Sequence, residues 1–501
     1  MSQLKLGVLL SYATAAVTLL LGLFYTPWMI ALIGQSDYGL YTLAISVINL
    51  FLLDMGLGTA LTRYLSKCYA EQRFDDANRY LRTAFAVYSS LALLVALALI
   101  FVYFFIDRLY SGLSQSEIDV FKSLYVIVAF YSVVSLPFMS QQSILIANEQ
   151  FIAFRVCELI QRLFVAGLTI ACLIAGQGVY AIVAATAAGN ILFILIRAVL
   201  IRRLTRARIS IAKPEKKDVR ELLGFSGWVA VSEMSSRCNW ALAPSVLGVF
   251  SNSIAISIFG LASQLESYVY SIADAISALL MPKMTRTIKG DDDGMRLTET
   301  MVRIGRFQLF VVGLIILGFA TCGQSFIEIW LSGPYDGLWI CTMLVIAPHL
   351  LLLPQSPGSI AIIASGNVKQ KSLISAATTL VSLLGSCILA PSLGALGACI
   401  SIGLAFALSS CLITVLLNKK LSLKVMRFYG GVYAKWIVPA VLSLIAGASV
   451  VQLVGPWNWP SLFLCCAIFA LCYIVLMLLL FLEGFEKKQL ISFVGKAIKH
   501  E

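Results

Sequence analysis

Two glutamate–arginine pairs stand inside apolar runs of this sequence. Glu158 and Arg162 lie in "VCELIQRLFV", and Glu233 and Arg237 lie in "VSEMSSRCNW". Each pair is spaced four residues apart, so on a helix each shares one face and can form an ion pair. A charged side chain at the depth of a bilayer costs about 2.5–3.5 kcal/mol, and such groups face a partner, a bundle interior or a wet cavity. Two readings of the pairs are open. They are self-neutralised locks between helices, or they line a cavity whose guanidinium groups attract an anion, with geometry suited to phosphate.

A second set is acidic. Glu266, Tyr270 and Asp274 recur every four residues along one stripe, and Asp54 interrupts "FLLDMGLG". Carboxylates in a low-dielectric setting can take up a proton or hold a cation during a cycle. The bland reading is a hydrogen-bonded brace against a neighbouring helix. Asn49, Gln161, Asn190, Asn239 and Gln264 are further candidates for bonds across helices. His349, in "APHLLLP", reads as a packed histidine rather than a ligand.

The elements that carry these groups must be membrane helices. Of 501 residues, 60% are hydrophobic and only 12% charged, against about 25% charged in an ordinary soluble domain. Apolar runs of 18 or more residues recur along the whole chain, each long enough for roughly 30 Å of hydrocarbon. Strands of a membrane barrel would instead be about ten residues long and alternating. The first run is too long for the core of a cleavable leader, so a retained first span is expected. Fourteen spans are predicted: 8–33, 38–62, 83–106, 120–145, 156–176, 179–200, 223–249, 254–281, 304–328, 338–363, 372–391, 395–417, 436–455 and 460–482. With both termini inside, the inner segments and their immediate edges hold 33 of the 37 Lys and Arg, the asymmetry that sets membrane orientation. Proline marks bends at positions 27, 137, 244, 348, 354 and 357, and three of these crowd the tenth span.

Weak internal similarities share one offset. "YGLYTLAISVINLFLLDMGLG" at 38–58 pairs with "FGLASQLESYVYSIADAISA" at 259–278, and "SILIANEQ" at 143–150 pairs with "IAIIASGNVKQ" at 360–370. They predict an all-α fold of two parallel six-helix lobes, 1–205 and 223–420. A basic cytoplasmic linker joins them at 206–222, and two added helices with a tail occupy 421–501. A seam between two such lobes, opened alternately to each side, is a transporter's solution.

Other classes fit poorly. The net charge of +12 belongs to inner loops that lack the aromatic interleaving of a nucleic-acid surface. Twelve cysteines without a CxxC pair and only two histidines leave no basis for a metal site. There is no P-loop. The outer loops at 34–37, 107–119 and 329–337 hold no catalytic constellation. Neither an enzyme nor a bound cofactor is expected.

At this point a resemblance enters. Tyr38, Gly39, Tyr41, Asp54, Gly56, Leu57, Arg63 and Tyr64 form a pattern similar to the early spans of bacterial polysaccharide exporters. These belong to the multidrug/oligosaccharidyl-lipid/polysaccharide (MOP) exporter superfamily. Ala147 and Asn148 with Gly178 and Ala181, then Gly366 and Asn367 with Gly394 and Gly397, match the family's turn before a G-x-x-[GA] opening; Pro282 matches too. The resemblance covers about residues 1–420 and implies a MATE-like flippase of the bacterial inner membrane. Its substrate would be an undecaprenyl-diphosphate-linked oligosaccharide of the O-antigen, capsule or exopolysaccharide type. The cavity candidates that match are Arg162, Arg237, Glu158, Glu233 and Glu266; the acids at membrane depth, Glu266, Asp274 and Asp54, are the candidates for ion or proton coupling. A lipid-linked oligosaccharide, a polysaccharide polymerase and chain-length machinery are the implied partners; a monomer fits the resemblance, which leaves the oligomeric state open. Two rivals remain. A multidrug or small-molecule antiporter of the same superfamily needs an acidic cavity, and a membrane glycosyltransferase or polymerase needs a large polar outer loop.

Overall fold

The computed structural model describes residues 3–51, 56–207, 215–288, 294–333, 335–455 and 458–481; among these, every regular element is a helix. In chain order they are α1 (Gln3–Ile33), α2 (Gln35–Phe51), α3 (Leu57–Ala70), α4 (Phe74–Leu109), α5 (Gln115–Ser135), α6 (Ser140–Ala147), α7 (Phe151–Ile174), α8 (Val179–Leu204), α9 (Lys216–Phe250) and α10 (Ser253–Ile288). Then follow α11 (Met295–Leu331), α12 (Leu338–Ile346), α13 (His349–Leu352), α14 (Ser356–Ala364), α15 (Val368–Leu393), α16 (Ala395–Leu421), α17 (Val425–Tyr433), α18 (Ile437–Val454) and α19 (Trp459–Leu480).

Among the described residues, eleven helical segments are long and apolar enough to cross a membrane. The remaining three predicted spans coincide with α2–α3, two helices of 17 and 14 residues, and with α9 and α10. Large apolar side chains such as Phe24, Phe104, Ile388 and Leu453 are strongly exposed. That would be an aggregation hazard in water and is the expected lipid-facing surface of a membrane protein. The chain is a multi-pass membrane protein.

Local sequence explains where helices break. Gly56 sits in the left-handed region at φ 67° and starts α3 afresh, a conformation that a Cβ would penalise. The helix predicted over 38–62 is therefore not one regular rod, and Ser143 of α6 donates to the Gly58 carbonyl in the first turn of α3. Pro137 lies in a 3-10 turn, Leu136–Phe138, between α5 and α6. In the tenth predicted span, α12 stops at Ile346, Pro348 precedes the single turn α13, and a 3-10 turn at Leu353–Gln355 carries Pro354 before α14 begins. Proline has no N–H to give and clashes with the preceding turn, so Pro348 and Pro354 interrupt the crossing, while Pro357 takes a first-turn position of α14 where no N–H is needed.

The chain divides into two packing units. One comprises residues 1–261 with 372–402, and the other residues 262–371 with 403–501. In the first unit α7 lies against α1 and α8, and α9 lies against α2, α3 and α4. A core of Leu57, Leu61, Leu65, Leu81, Tyr88, Ile144 and Leu145 joins α3, α4 and α6. In the second unit α11 is the hub, packing against α12, α17, α18 and α19. Its backbone is tied in by Tyr473, whose hydroxyl donates to the Phe310 carbonyl at 2.9 Å. Arg306 is buried, hydrogen-bonded to the Phe481 carbonyl and stacked over that ring.

Candidate functional site

The first cluster grows from one face of α7. Arg155, Glu158 and Arg162 are spaced three and four residues apart, so their side chains stack on successive turns. Arg155 reaches one carboxylate oxygen of Glu158 at 2.8 Å and Arg162 reaches the other at 3.3 Å. The other terminal nitrogen of Arg162 donates to the Thr18 hydroxyl of α1 at 2.8 Å. Thr18 is itself held by the Thr14 carbonyl. Two guanidinium groups thus share one carboxylate, leaving one positive charge in excess. Arg162 lies roughly 17 Å from the first residue of α7, near its middle. Side-chain exposure is 36% for Arg155, 21% for Glu158 and 42% for Arg162, so the group is open to a partner. A guanidinium has five N–H donors, and only some are used here.

A third guanidinium stands on the neighbouring helix. Arg197 of α8 donates to the side-chain carbonyl of Gln161, whose amide donates to Asn190 at 2.7 Å. The expected cross-helix role of Gln161 and Asn190 is therefore realised. Gln264 bonds to Tyr268, one turn further along its own helix.

The helix α9 carries the other predicted pair. Glu233 and Arg237 sit one turn apart, and both are exposed. Near the start of α9, buried Asp218 lies 3.0 Å from Arg79 of α4, with Glu215 4.0 Å from Arg82. Beyond its far end, Glu117 of α5 accepts hydrogen bonds from Ser36 and from Ser253 at the first turn of α10. There the backbones touch: a side chain on Gly39 of α2 would run into the Ser253 carbonyl, and the Gly112 amide donates to the Gly248 carbonyl.

The second unit holds a different arrangement. Glu266 of α10 and His349 of α13 meet at 2.6 Å, Nε2 to Oε1, with side chains 8% and 4% exposed. The imidazole is flanked by the rings of Tyr270 and Phe406. The proline-cut crossing is what presents His349 there. Asp274 falls on α10 two turns beyond Glu266, but its side chain lies outside the described ones, and Asp54 lies outside the described residues altogether. Among the described residues no cluster of three or more metal-ligating side chains exists.

Two functional candidates were not apparent from sequence. Arg155 falls at the edge of the predicted inner loop, although its spacing from Glu158 was a usable signal. His349 is 83 residues from its partner, and only its rarity in the chain marked it.

This arrangement of broken and continuous helices is the fold of MOP-superfamily transporters. The structure of "Lipid II flippase MurJ, inward closed conformation" matches with a TM-score of 0.74 at 15% identity, over 94% of this chain and 98% of that one. The MATE multidrug transporter DinF-BH, solved as a complex with a small molecule, matches at 0.63 and 15%, over 85% and 96%. A MOP transporter from Pyrococcus furiosus, described as having a binding pocket of reverse polarity, matches at 0.55 and 14%, over 84% and 95%. No curated protein matches in sequence. The family model described as "Polysaccharide biosynthesis protein" matches residues 29–338, more than half of the chain. The chain belongs to that family.

Proposed function

We propose that this protein is a flippase that carries a lipid-linked oligosaccharide, joined through a diphosphate to an undecaprenyl-type tail, across the bacterial inner membrane by alternating access. The observation that carries the reading is the Arg155–Glu158–Arg162 group, an uncompensated cationic site near the middle of a membrane helix in a chain of the polysaccharide biosynthesis family. A diphosphate head is too costly to cross hydrocarbon unaided, and guanidinium groups bind phosphate in bidentate fashion. Arg237 and Glu233 belong to the same pathway in this proposal. So do fourteen spans with both termini inside, and the two lobes 1–205 and 223–420. The likeness in fold to a lipid II flippase supports a lipid-anchored substrate whose tail stays in the bilayer while its head crosses.

The multidrug alternative requires an acidic site, and the group on α7 is net positive. Purified protein in liposomes, given a fluorescent undecaprenyl-diphosphate oligosaccharide, tests the choice. Transfer of label to the far leaflet, measured by protection from a membrane-impermeant quencher, is expected to exceed that in protein-free liposomes. Transfer no faster than in protein-free liposomes, together with export of cationic dyes, would replace this reading with the drug-exporter one.

A further inference from the structure

We propose that the edge of the second unit formed by α11, α17 and the end of α16 binds the headgroup phosphate of an anionic lipid, a role separate from the transport reading above. Three helices turn from apolar to basic there. On α16, exposed Val415 is followed four and five residues on by exposed Lys419 and Lys420. On α11, exposed Arg303 stands four residues before exposed Phe307. Exposed Lys435 stands two residues before exposed Ile437, the first residue of α18. Four residues of helix rise about 6 Å, which puts each base at the depth of headgroups, just outside the hydrocarbon.

Close contacts hold these stretches together. A side chain on Gly294, at the start of α11, would run into the Leu421 and Ser422 carbonyls between α16 and α17. The Lys424 amide donates to the Thr298 hydroxyl at 3.1 Å, and Arg427 meets Glu299 at 3.1 Å. Further on, a side chain on Gly431 would meet Val302. The short helix α17 therefore runs beside the first turns of α11. It buries Phe428 and Val432 and leaves Met426 87% exposed next to exposed Arg427. An apolar and a basic side chain presented together suit the boundary between acyl chains and headgroups.

The charge balance selects an anion. Residues 294–306 and 416–438 hold eight Lys and Arg and one acid, Glu299. Of the eight, Arg306 is buried and engaged by the Phe481 carbonyl. The stretch just before, 283–293, adds three bases and three acids and so no net charge. Lipid rather than a free anion fits the edge, because the bases stand beside side chains that face acyl chains. On the orientation proposed above the lipid lies in the inner leaflet. Each base near a membrane surface raises the affinity for anionic lipid about fivefold.

Native mass spectrometry of the full-length protein tests the surface. The protein is stripped of lipid in a neutral detergent and titrated with phosphatidylglycerol or phosphatidylcholine. Phosphatidylglycerol should bind at least about tenfold more tightly than phosphatidylcholine, and added salt should weaken it. Arg303→Gln with Lys435→Gln removes two bases and should lower that affinity about thirtyfold. Arg303→Lys with Lys435→Arg should retain it, and Arg202→Gln with Arg203→Gln, at the end of α8 in the first unit, should leave the tightest-bound lipid unaffected. If the double glutamine variant does not accumulate, the two single variants decide, each with about a fivefold loss expected. Equal binding of both lipids, unchanged affinity in the glutamine variants, an equal loss in Arg202→Gln with Arg203→Gln, or displacement of the lipid by inorganic phosphate would each overturn the proposal.

Discussion

The acid–base group on α7 and the one joining α10 to α13 use the same ingredients for opposite ends. On α7 two arginines crowd one glutamate, the group is partly exposed, and positive charge is left over. Between α10 and α13 one acid meets one base, and both are buried. The contrast teaches that exposure and stoichiometry, more than residue type, decide what a charged cluster can do. Surplus charge that water can reach meets an outside anion. A matched pair out of water's reach holds together the helices that carry it.

That comparison breaks most visibly at the sealed pair. His349→Ala leaves Glu266 buried without its base and should destabilise the protein by about 3–5 kcal/mol, read as a fall in melting temperature of purified protein. His349→Gln, which keeps a polar partner, should recover much of the loss. Equal stability of the two variants would place the pair among solvated contacts.

Next in size is the exposed cluster. On the flippase reading, replacing Arg155 and Arg162 together by glutamine would remove two charge-assisted bonds to phosphate, worth about 1.5–3 kcal/mol each. Flipping should fall at least about a hundredfold at normal protein abundance. Unchanged flipping would remove α7 from the substrate path.

A smaller effect is expected at the backbone contact. Gly39→Ala forces α2 away from the Ser253 carbonyl and should cost about 1–3 kcal/mol, as overpacking does. A thermal-melting difference checks it. Smallest of all, Glu158→Gln should change stability by less than about 1 kcal/mol, because exposed ion pairs contribute little. It should nevertheless tighten binding of a diphosphate lipid, by unmasking both guanidinium groups, in a direct titration. Weakened binding would make Glu158 the organiser of the site rather than its mask.

The all-helical, membrane-crossing character was legible from sequence because long hydrophobic runs report the bilayer directly. The i,i+4 spacing of Glu158 and Arg162 likewise announced their contact, since both ends lie on one helix. The same rule was silent about Arg155, because a residue assigned to a loop is not searched for helical partners. It was silent about His349 for a stronger reason: a contact across 83 residues depends on how proline breaks place α13, and no local pattern encodes that. The left-handed start of α3 at Gly56 was not read from the sequence, because a glycine inside an apolar run does not by itself announce a break.

Glu117 holds Ser36 and Ser253 on a single carboxylate oxygen, and those two hydroxyls lie 3.0 Å from each other. Three segments far apart in the chain are thus fastened at one point. Separating α2 from the first turn of α10 must break the contact between the two hydroxyls and at least one of their two bonds to Glu117. Whichever helix keeps its bond leaves the other with a hydroxyl to satisfy elsewhere, so water must enter this junction as the helices part.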